Sequence, residues 1–396
     1  MKKLVKVAVP LIAISCTPAS FAEIRLNGFA SIHMSSLNSD NGGTPFSQYN
    51  EGTFSFKDES LFALQASSDL GDGLTATVQF VGEGKDDFAI DARWAYLSYT
   101  LSDTHTLSAG RFANPIFYQS EYEKVGFAHN YARLPKAVYA GFDFSTIEGV
   151  ALDSNFYVGD YTLTTKLLYG NWDGSVFLST TGQDEFFGLK NLLSARATLA
   201  GDGWNVFAGS FIAEMEGGTI DQNAIIGAAA PGIAAAQALG ATQAQVDNFI
   251  DSVKWDGKDG IYSYLGFNVD RNRFIVDFEF ASYGVKDSSD GWNDTWFFGV
   301  GYRLSDTLAV IVHTEENKQD GADTDFLDGV SNPVLFATGA AIKESLSFSE
   351  YEGTGVTMRY DFHPSATLKA DYFMGESTRT DIGDYSIFSV GVDLVF

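Results

Sequence analysis

The chain has 396 residues, of which 14% are aromatic and 19% are charged, with a single cysteine and a formal net charge of −26. So acidic a chain is poorly suited to nucleic acid, whose phosphates are bound by lysine and arginine. The aromatic content argues against a disordered chain. Proline is scarce, at 8 residues, and no linker-like segment divides the sequence.

The first 22 residues have the order of a secretory signal peptide. Lys2, Lys3 and Lys6 precede an apolar run, and Ser20 and Ala22 stand three and one positions before the expected cut. The apolar run is too short for a membrane-spanning helix. Cleavage after Ala22 removes the three lysines and the only cysteine, which changes the net charge from −26 to −29. We therefore expect residues 1–22 to be a signal peptide and residues 23–396 to be one exported domain.

Alternating apolar and polar residues run through almost all of the remaining chain. A period of two indicates β-strands with one apolar face, and we count about sixteen of them. Tight turns such as Gly71-Asp72-Gly73 alternate with long loops at residues 36–57, 113–145, 217–258 and 317–345. Short turns on one side and long loops on the other are typical of an outer-membrane β-barrel.

A water-soluble β-sandwich would also alternate, with its apolar face inside rather than towards lipid. The charged faces near Lys190 and Arg273 fit both architectures. Aromatic residues close to strand ends favour the barrel, because tyrosine and tryptophan form girdles at membrane interfaces. The expected fold is therefore an all-β, transmembrane, antiparallel barrel of about sixteen strands. The girdle residues are Trp94, Tyr99, Trp172, Tyr302, Tyr360 and Tyr385.

Residues 89–140 carry the features that match a known family best. Arg93-Trp94-Ala95-Tyr96-Leu97 lies on one predicted strand, and Gly110-Arg111 closes the next, just before a long loop. The hairpin Leu70–Phe80 and the terminal Phe396 complete the pattern. In these features the chain resembles the Gram-negative general porins, which are trimeric sixteen-stranded barrels. The resemblance implies a homotrimer with an inward-folded third loop, and a channel for passive diffusion of ions and small hydrophilic solutes.

The resemblance also implies which charges surround the narrowest part of the pore. Opposite fixed charges there create a field across the gap, which favours polar solutes. Two features depart from the family: the loop lacks a Pro-Glu-Phe-Gly-Gly segment, and Phe29 and Leu61 stand where the family often has basic residues. The resemblance implies pore residues of two kinds: Arg93 and Arg111 as wall arginines, and Glu121, Glu123 and Asp143 as loop acids. The loop of this chain departs further in carrying the cations Lys124 and Arg133, which we add to the expected pore residues. Lys166, Lys190 and Arg196 share the lumen-facing parity of their strands and are expected to extend the basic wall.

Two other functions remain open. Aromatic residues of the third loop could bind sugars by stacking, as in a substrate-selective porin, or simply pack the loop against the wall; they are Phe117, Tyr118, Tyr122, Phe127, Tyr131 and Tyr139. An enzyme of the outer membrane would need an acid–base pair. His313 and Glu315 are the only such pair, and a polar pair in the lumen is the simpler interpretation. The histidines lack metal-site spacing, so we expect no metal and no cofactor.

The last two segments concern a loop and the terminus. Residues 222–252 are rich in alanine and are expected to form a helix within a long loop that caps the mouth of the barrel; Pro231 and weak apolarity argue against a transmembrane helix. Tyr385–Phe396 alternates to its last residue and should close the barrel. The resemblance implies that Phe396 is read by the outer-membrane assembly machinery. The excess acids should crowd the outer loops, where divalent cations bridge them to lipopolysaccharide.

Overall fold

Sixteen strands form one closed antiparallel sheet in which each strand pairs with its neighbours in the chain, and the first strand pairs with the last. The computed structural model describes residues 23–46, 48–139, 144–178, 183–289, 291–320, 324–345 and 350–396. The expected signal peptide, residues 1–22, lies outside these ranges. The strands are β1 Ile24–Ser39, β2 Leu61–Gly71, β3 Leu74–Glu83, β4 Ile90–Ser102, β5 His105–Ala113, β6 Thr146–Val158, β7 Tyr161–Leu178, β8 Gln183–Gly201, β9 Trp204–Gly217, β10 Asp259–Arg271, β11 Phe274–Val285, β12 Trp292–Arg303, β13 Leu308–Asp320, β14 Tyr351–His363, β15 Ala366–Ser377 and β16 Asp384–Val395.

The C-terminal strand closes the barrel, as its uninterrupted alternation predicts. Phe29 of β1 lies opposite both Val395 of β16 and Ala63 of β2. At the very end, the backbone N–H of Phe396 donates to the carbonyl of Gly28 at 2.9 Å, and the reverse bond is 2.7 Å long. Closure pairs the edges of β1 and β16 with each other, which matters because lipid offers no hydrogen bonds.

The two faces of the sheet have the polarity of a barrel in lipid rather than that of a soluble sandwich. The inward face holds buried charged side chains, including Lys369, Asp371 and Asp393. A water-soluble protein would reverse this arrangement. Large apolar side chains are exposed on the outward face, among them Leu64, Leu97, Val150, Leu167, Leu193, Leu265, Val312 and Val356.

Three of the six aromatic residues predicted to form the girdle lie on the outer face of the barrel, and three do not. Tyr99, Tyr302 and Tyr360 are exposed, as interfacial residues should be. Trp172 and Tyr385 are instead buried, and Trp94 lines an internal cavity. Position near a strand end does not determine direction, because successive side chains point to opposite faces.

The predicted helical loop is confirmed, and it has a partner in another loop. The helices are α1 Lys136–Tyr139, α2 Thr219–Ala238, α3 Gln243–Val253 and α4 Pro333–Ser345. α2 and α3 lie between β9 and β10 and share a buried apolar cluster with α4, which lies between β13 and β14. At the crossing of α2 and α4, a Cβ on Gly232 would come within 2.1 Å of Thr338 Oγ1, so only glycine permits this approach. No helix in the described ranges is long and apolar enough to cross a membrane.

Candidate pore constriction

The third external loop, residues 114–145 between β5 and β6, contacts strands on distant parts of the barrel wall. Arg196 of β8 donates a hydrogen bond to the carbonyl oxygen of Phe117 at 2.7 Å. Lys369 of β15 donates to the carbonyl oxygen of Gly126 at 2.6 Å. The two strands lie far apart in the sheet order, so this one loop connects separate sectors of the wall.

Aromatic side chains attach the loop to the wall. Phe117 and Tyr131 are buried in an apolar cluster shared with β6 to β13. The Tyr131 hydroxyl donates to Asp277 of β11 at 2.8 Å, and the ring of Tyr139 lies 4.6 Å from that of Phe117. These three rings pack the loop rather than line a path for solute. Tyr122 differs, since about half of it is exposed.

Arg93, an expected wall arginine, forms an ion pair with Glu123, an expected loop acid. A β-bulge shifts the register so that Gln79 pairs with Trp94 and Phe80 with Ala92, which leaves Arg93 as the extra residue. Its guanidinium lies 2.8 Å from Glu123 of the loop.

Lys124 extends this pair into a network of four charges. Its ammonium lies 3.1 Å from Glu123 and 3.1 Å from Glu83 of β3. Burial alone would raise the pKa of Glu123, but the charges of Lys124 and Arg93 lower it to about 2. Glu123 therefore stays ionised at neutral pH, and the loop is tied to β3 and β4 by charge.

A second charged group joins the loop to β6 and β7. Lys166 lies 2.9 Å from Glu121 of the loop and 3.4 Å from Asp153. The positive charge of Lys166 outweighs burial and lowers the pKa of Glu121. Because Glu121 is about half exposed, this group faces water more than the Arg93 network does.

Arg133 anchors the far end of the loop. Its guanidinium lies 2.5 Å from Asp371 of β15 and 4.7 Å from the ring centroid of Phe373. Asp371 is also 3.0 Å from His313 of β13. His313 and Glu315, the pair considered for hydrolytic chemistry, are both almost fully buried. His313 therefore serves as a partner of a structural carboxylate.

The buried group around Lys369 is one that sequence reasoning missed. Lys369 lies 2.9 Å from Asp393, and Asp393 lies 2.9 Å from His33 of β1. Arg359 of β14 donates to the carbonyl oxygen of His129 in the loop at 2.6 Å. The sequence does contain a sign of this group. Lys369, Asp371 and Asp393 occupy the lumen-facing positions of strands with an alternating pattern, the same pattern that identified Arg196 as a wall residue.

Arg111 does not lie where the resemblance placed it. Its neighbour Phe112 packs in the interior cluster, and Ser108 lines an internal cavity, so residue 111 points outward. The Arg111 guanidinium lies 3.7 Å from Glu148 and 4.0 Å from Asp91. The adjoining Gly110 has φ +131°, where a Cβ would lie 2.3 Å from the carbonyl oxygen of Ala95. The glycine is thus required by the backbone, and Arg111 sits outside the lumen.

Lys190 also departs from its predicted face. A β-bulge interrupts the pairing of β8 with β9 between Lys190 and Leu193. Buried Leu189 and Leu192 flank the bulge, so the alternation that leads to Arg196 does not extend back to residue 190. Lys190 pairs with Glu216 at 2.6 Å. Asp143, the remaining predicted acid, lies outside the described residues.

Apolar contact replaces basic residues on the wall of β1 to β3. Val125 of the loop packs against Phe29, Ala63 and Val81. Phe29 stands where the resemblance led us to look for a basic side chain, so the loop touches this wall through carbon atoms.

An open cavity of about 980 Å³ lies beside the loop, on the side of the short turns. Glu121, Tyr122 and Val125 of the loop line it together with Lys166. Among the described residues, no group of histidine, cysteine, aspartate or glutamate is arranged to hold a metal ion.

Comparison with known proteins gives a match of fold without a match of sequence. No protein-family model matches the chain, and no curated protein matches it. An anion-selective porin from Comamonas acidovorans covers 95% of this chain and 100% of its own, with a TM-score of 0.56 and 11% identity. The outer membrane channel DcaP of Acinetobacter baumannii covers 95% of this chain and 97% of its own, with a TM-score of 0.55 and 13% identity. OmpF of Salmonella typhi, in complex with daunomycin, covers 95% of this chain and 98% of its own, with a TM-score of 0.55 and 12% identity.

Proposed function

We propose that the chain forms a water-filled channel in the outer membrane of a Gram-negative bacterium, through which ions and small hydrophilic solutes diffuse passively. The observation that carries the proposal is the third loop, which pairs its charges with inward-facing charges of the wall. A loop held between opposite sectors of a barrel narrows the lumen at that level. The channels and porins that share the fold support this function, while the likeness itself extends to the fold alone.

The charges at the narrow level favour hydrophilic solutes. Charges of both signs meet the water at Lys166 with Glu121, whose carboxylate is about half exposed, and the buried pair of Arg93 with Glu123 lies in the same loop. Such a field orients water and dipolar solutes, and an apolar solute must disturb that ordered water. The constriction in this proposal comprises Arg93, Glu121, Glu123, Lys124, Arg133, Lys166 and Arg196, without Arg111 and Lys190.

We further propose that the functional unit is a homotrimer. Arg111, Asp91 and Glu148 form a charged group on the outward face of β4 to β6, the face on which the apolar Leu107 is also exposed. Charges on a lipid-facing surface destabilise a barrel increasingly with depth. A neighbouring copy covering this group would supply polar partners that lipid lacks.

Contacts with the outer leaflet and with the assembly machinery belong to the same proposal. Glu316, Glu352 and Glu376 lie opposite one another on β13, β14 and β15 near the external loops. In this proposal, divalent cations link these carboxylates to lipopolysaccharide phosphates. The exposed ring of Phe396 is available as the recognition signal for assembly.

Liposome swelling tests the proposed function directly. Purified protein should let arabinose enter faster than the larger raffinose, and heat-unfolded protein should admit neither. Folded protein that admits no solute would overturn the channel proposal.

A further inference from the structure

The cavity on the short-turn side of the third loop contains a row of hydrogen-bonding side chains. Asn27 lies opposite Gln65, Gln65 opposite Gln79, and Gln79 opposite Trp94, on the adjacent strands β1 to β4. All four line the cavity. Register thus places three amides and one indole side by side, because residues directly opposite on paired strands are neighbours.

The row ends at a donor without an acceptor. The amide nitrogen of Gln79 donates to the side-chain oxygen of Gln65 at 2.9 Å. Trp94 Nε1 is buried and has no hydrogen-bond partner among the described residues. A buried indole N–H usually finds an acceptor, and leaving it unpaired is costly. An acceptor on a bound solute would satisfy it.

The rest of the cavity lining supplies aromatic faces and a compensated charge. Tyr122 of the third loop is about half exposed and lines the cavity together with Tyr96. Lys166, the cation among the described lining residues, is already paired with Glu121 and Asp153. An anion would therefore meet more negative than positive charge here.

We propose that this cavity is a binding site for a neutral, polyhydroxylated solute such as a mono- or disaccharide. Amides, an indole N–H and carboxylates offer donors and acceptors for hydroxyl groups, while aromatic faces accept the apolar face of a sugar ring. A cavity of about 980 Å³ is at the upper end of typical small-molecule sites. An apolar solute would leave the amide row unpaired. The inference rests on the proposed channel function, since the site lies on the route through the barrel.

Isothermal titration of the detergent-solubilised full-length protein with maltose measures this binding without requiring transport. The wild type should show saturable binding. Trp94→Leu removes both the ring and its N–H and should weaken binding about tenfold. Trp94→Phe keeps an aromatic ring without the N–H, Gln79→Leu keeps an aliphatic side chain without the amide, and each should weaken binding about threefold. Trp204→Phe is the matched control, because Trp204 contacts Tyr161 outside the cavity; its affinity should equal that of the wild type.

Several outcomes would overturn the inference. They are no saturable heat from folded wild type, equal maltose affinity in wild type and Trp94→Leu, or tighter binding of glucose 6-phosphate than of maltose. Should Trp94→Leu not fold, wild-type affinity in Trp94→Phe and Gln79→Leu together would overturn it equally. Ion conductance in planar bilayers separates the two proposals. Normal conductance without maltose binding would contradict the proposed binding site but not the proposed channel. Maltose binding without conductance would contradict the proposed channel but not the binding site.

Discussion

Glu123→Gln tests whether ion pairing holds the third loop in place. The substitution keeps the size of a side chain that is only 11% exposed and removes its charge beside Arg93 and Lys124. Folding lowers the pKa of Glu123 from 4.5 to about 2. One pKa unit corresponds to about 1.4 kcal/mol, so the ionised carboxylate stabilises the folded loop by about 3 kcal/mol.

The sign of this effect sets its pH dependence. A depressed carboxyl pKa gives stability that is complete above pH 4.5 and is lost as the pH falls from 4.5 towards 2. At pH 7 the variant should therefore show the full loss, and at pH 3 the two proteins should differ less.

Hydrogen–deuterium exchange of peptides from residues 119–132 measures the loss. A destabilisation of about 3 kcal/mol should speed exchange of the loop amides about a hundredfold, if they exchange through local opening. Strand peptides of the same sample are the internal reference, and Glu214→Gln, which alters an exposed carboxylate on β9, is the matched variant. Unchanged exchange in a folded Glu123→Gln protein at pH 7 would refute the role assigned to this network.

The remaining predictions concern selectivity, assembly and the external helices. Lys166→Met should raise cation preference in reversal-potential measurements, whereas Arg111→Met should not, because residue 111 points outward. Equal shifts in the two variants would contradict the outward position of Arg111. Arg111→Met should instead lower the melting temperature of detergent-resistant trimers, and an unchanged temperature would remove it from the subunit contact. Deleting Phe396 should sharply reduce assembled trimer, and normal surface levels would count against its role as a signal. Deleting 223–251 should leave a barrel that is sensitive to protease at α4, because α2 and α3 cover the apolar side of α4; protease resistance of α4 would contradict that shared core.

The barrel itself was predictable because its determinants are local. Strand alternation, turn residues and the unbroken pattern up to Phe396 each depend on a few neighbouring residues. The helices at residues 222–252 were predictable for the same reason, while their packing against α4 was not, since it joins two distant loops.

The candidate site was predictable only in part. The Arg93 and Glu123 pair follows from the resemblance, but Arg111 and Lys190 do not lie on the faces assigned to them. One-residue changes in strand phase, as at the bulge after Lys190, reverse the direction of a side chain without leaving a clear mark in the sequence. The pair of Arg133 with Asp371 joins residues 238 positions apart, which no local pattern can indicate.

Single-channel conductance of the wild type and of a loop-shortened variant tests the central claim most directly. In the variant, residues 119–134 are replaced by a short Gly-Ser linker, which removes the charges of Glu121, Glu123 and Arg133 together with the bulk of the loop. If the third loop narrows a water-filled lumen, the wild type should show discrete conductance steps and the folded variant should show steps several times larger. Equal steps in the two proteins, or no steps from either one when both are folded, would contradict the account.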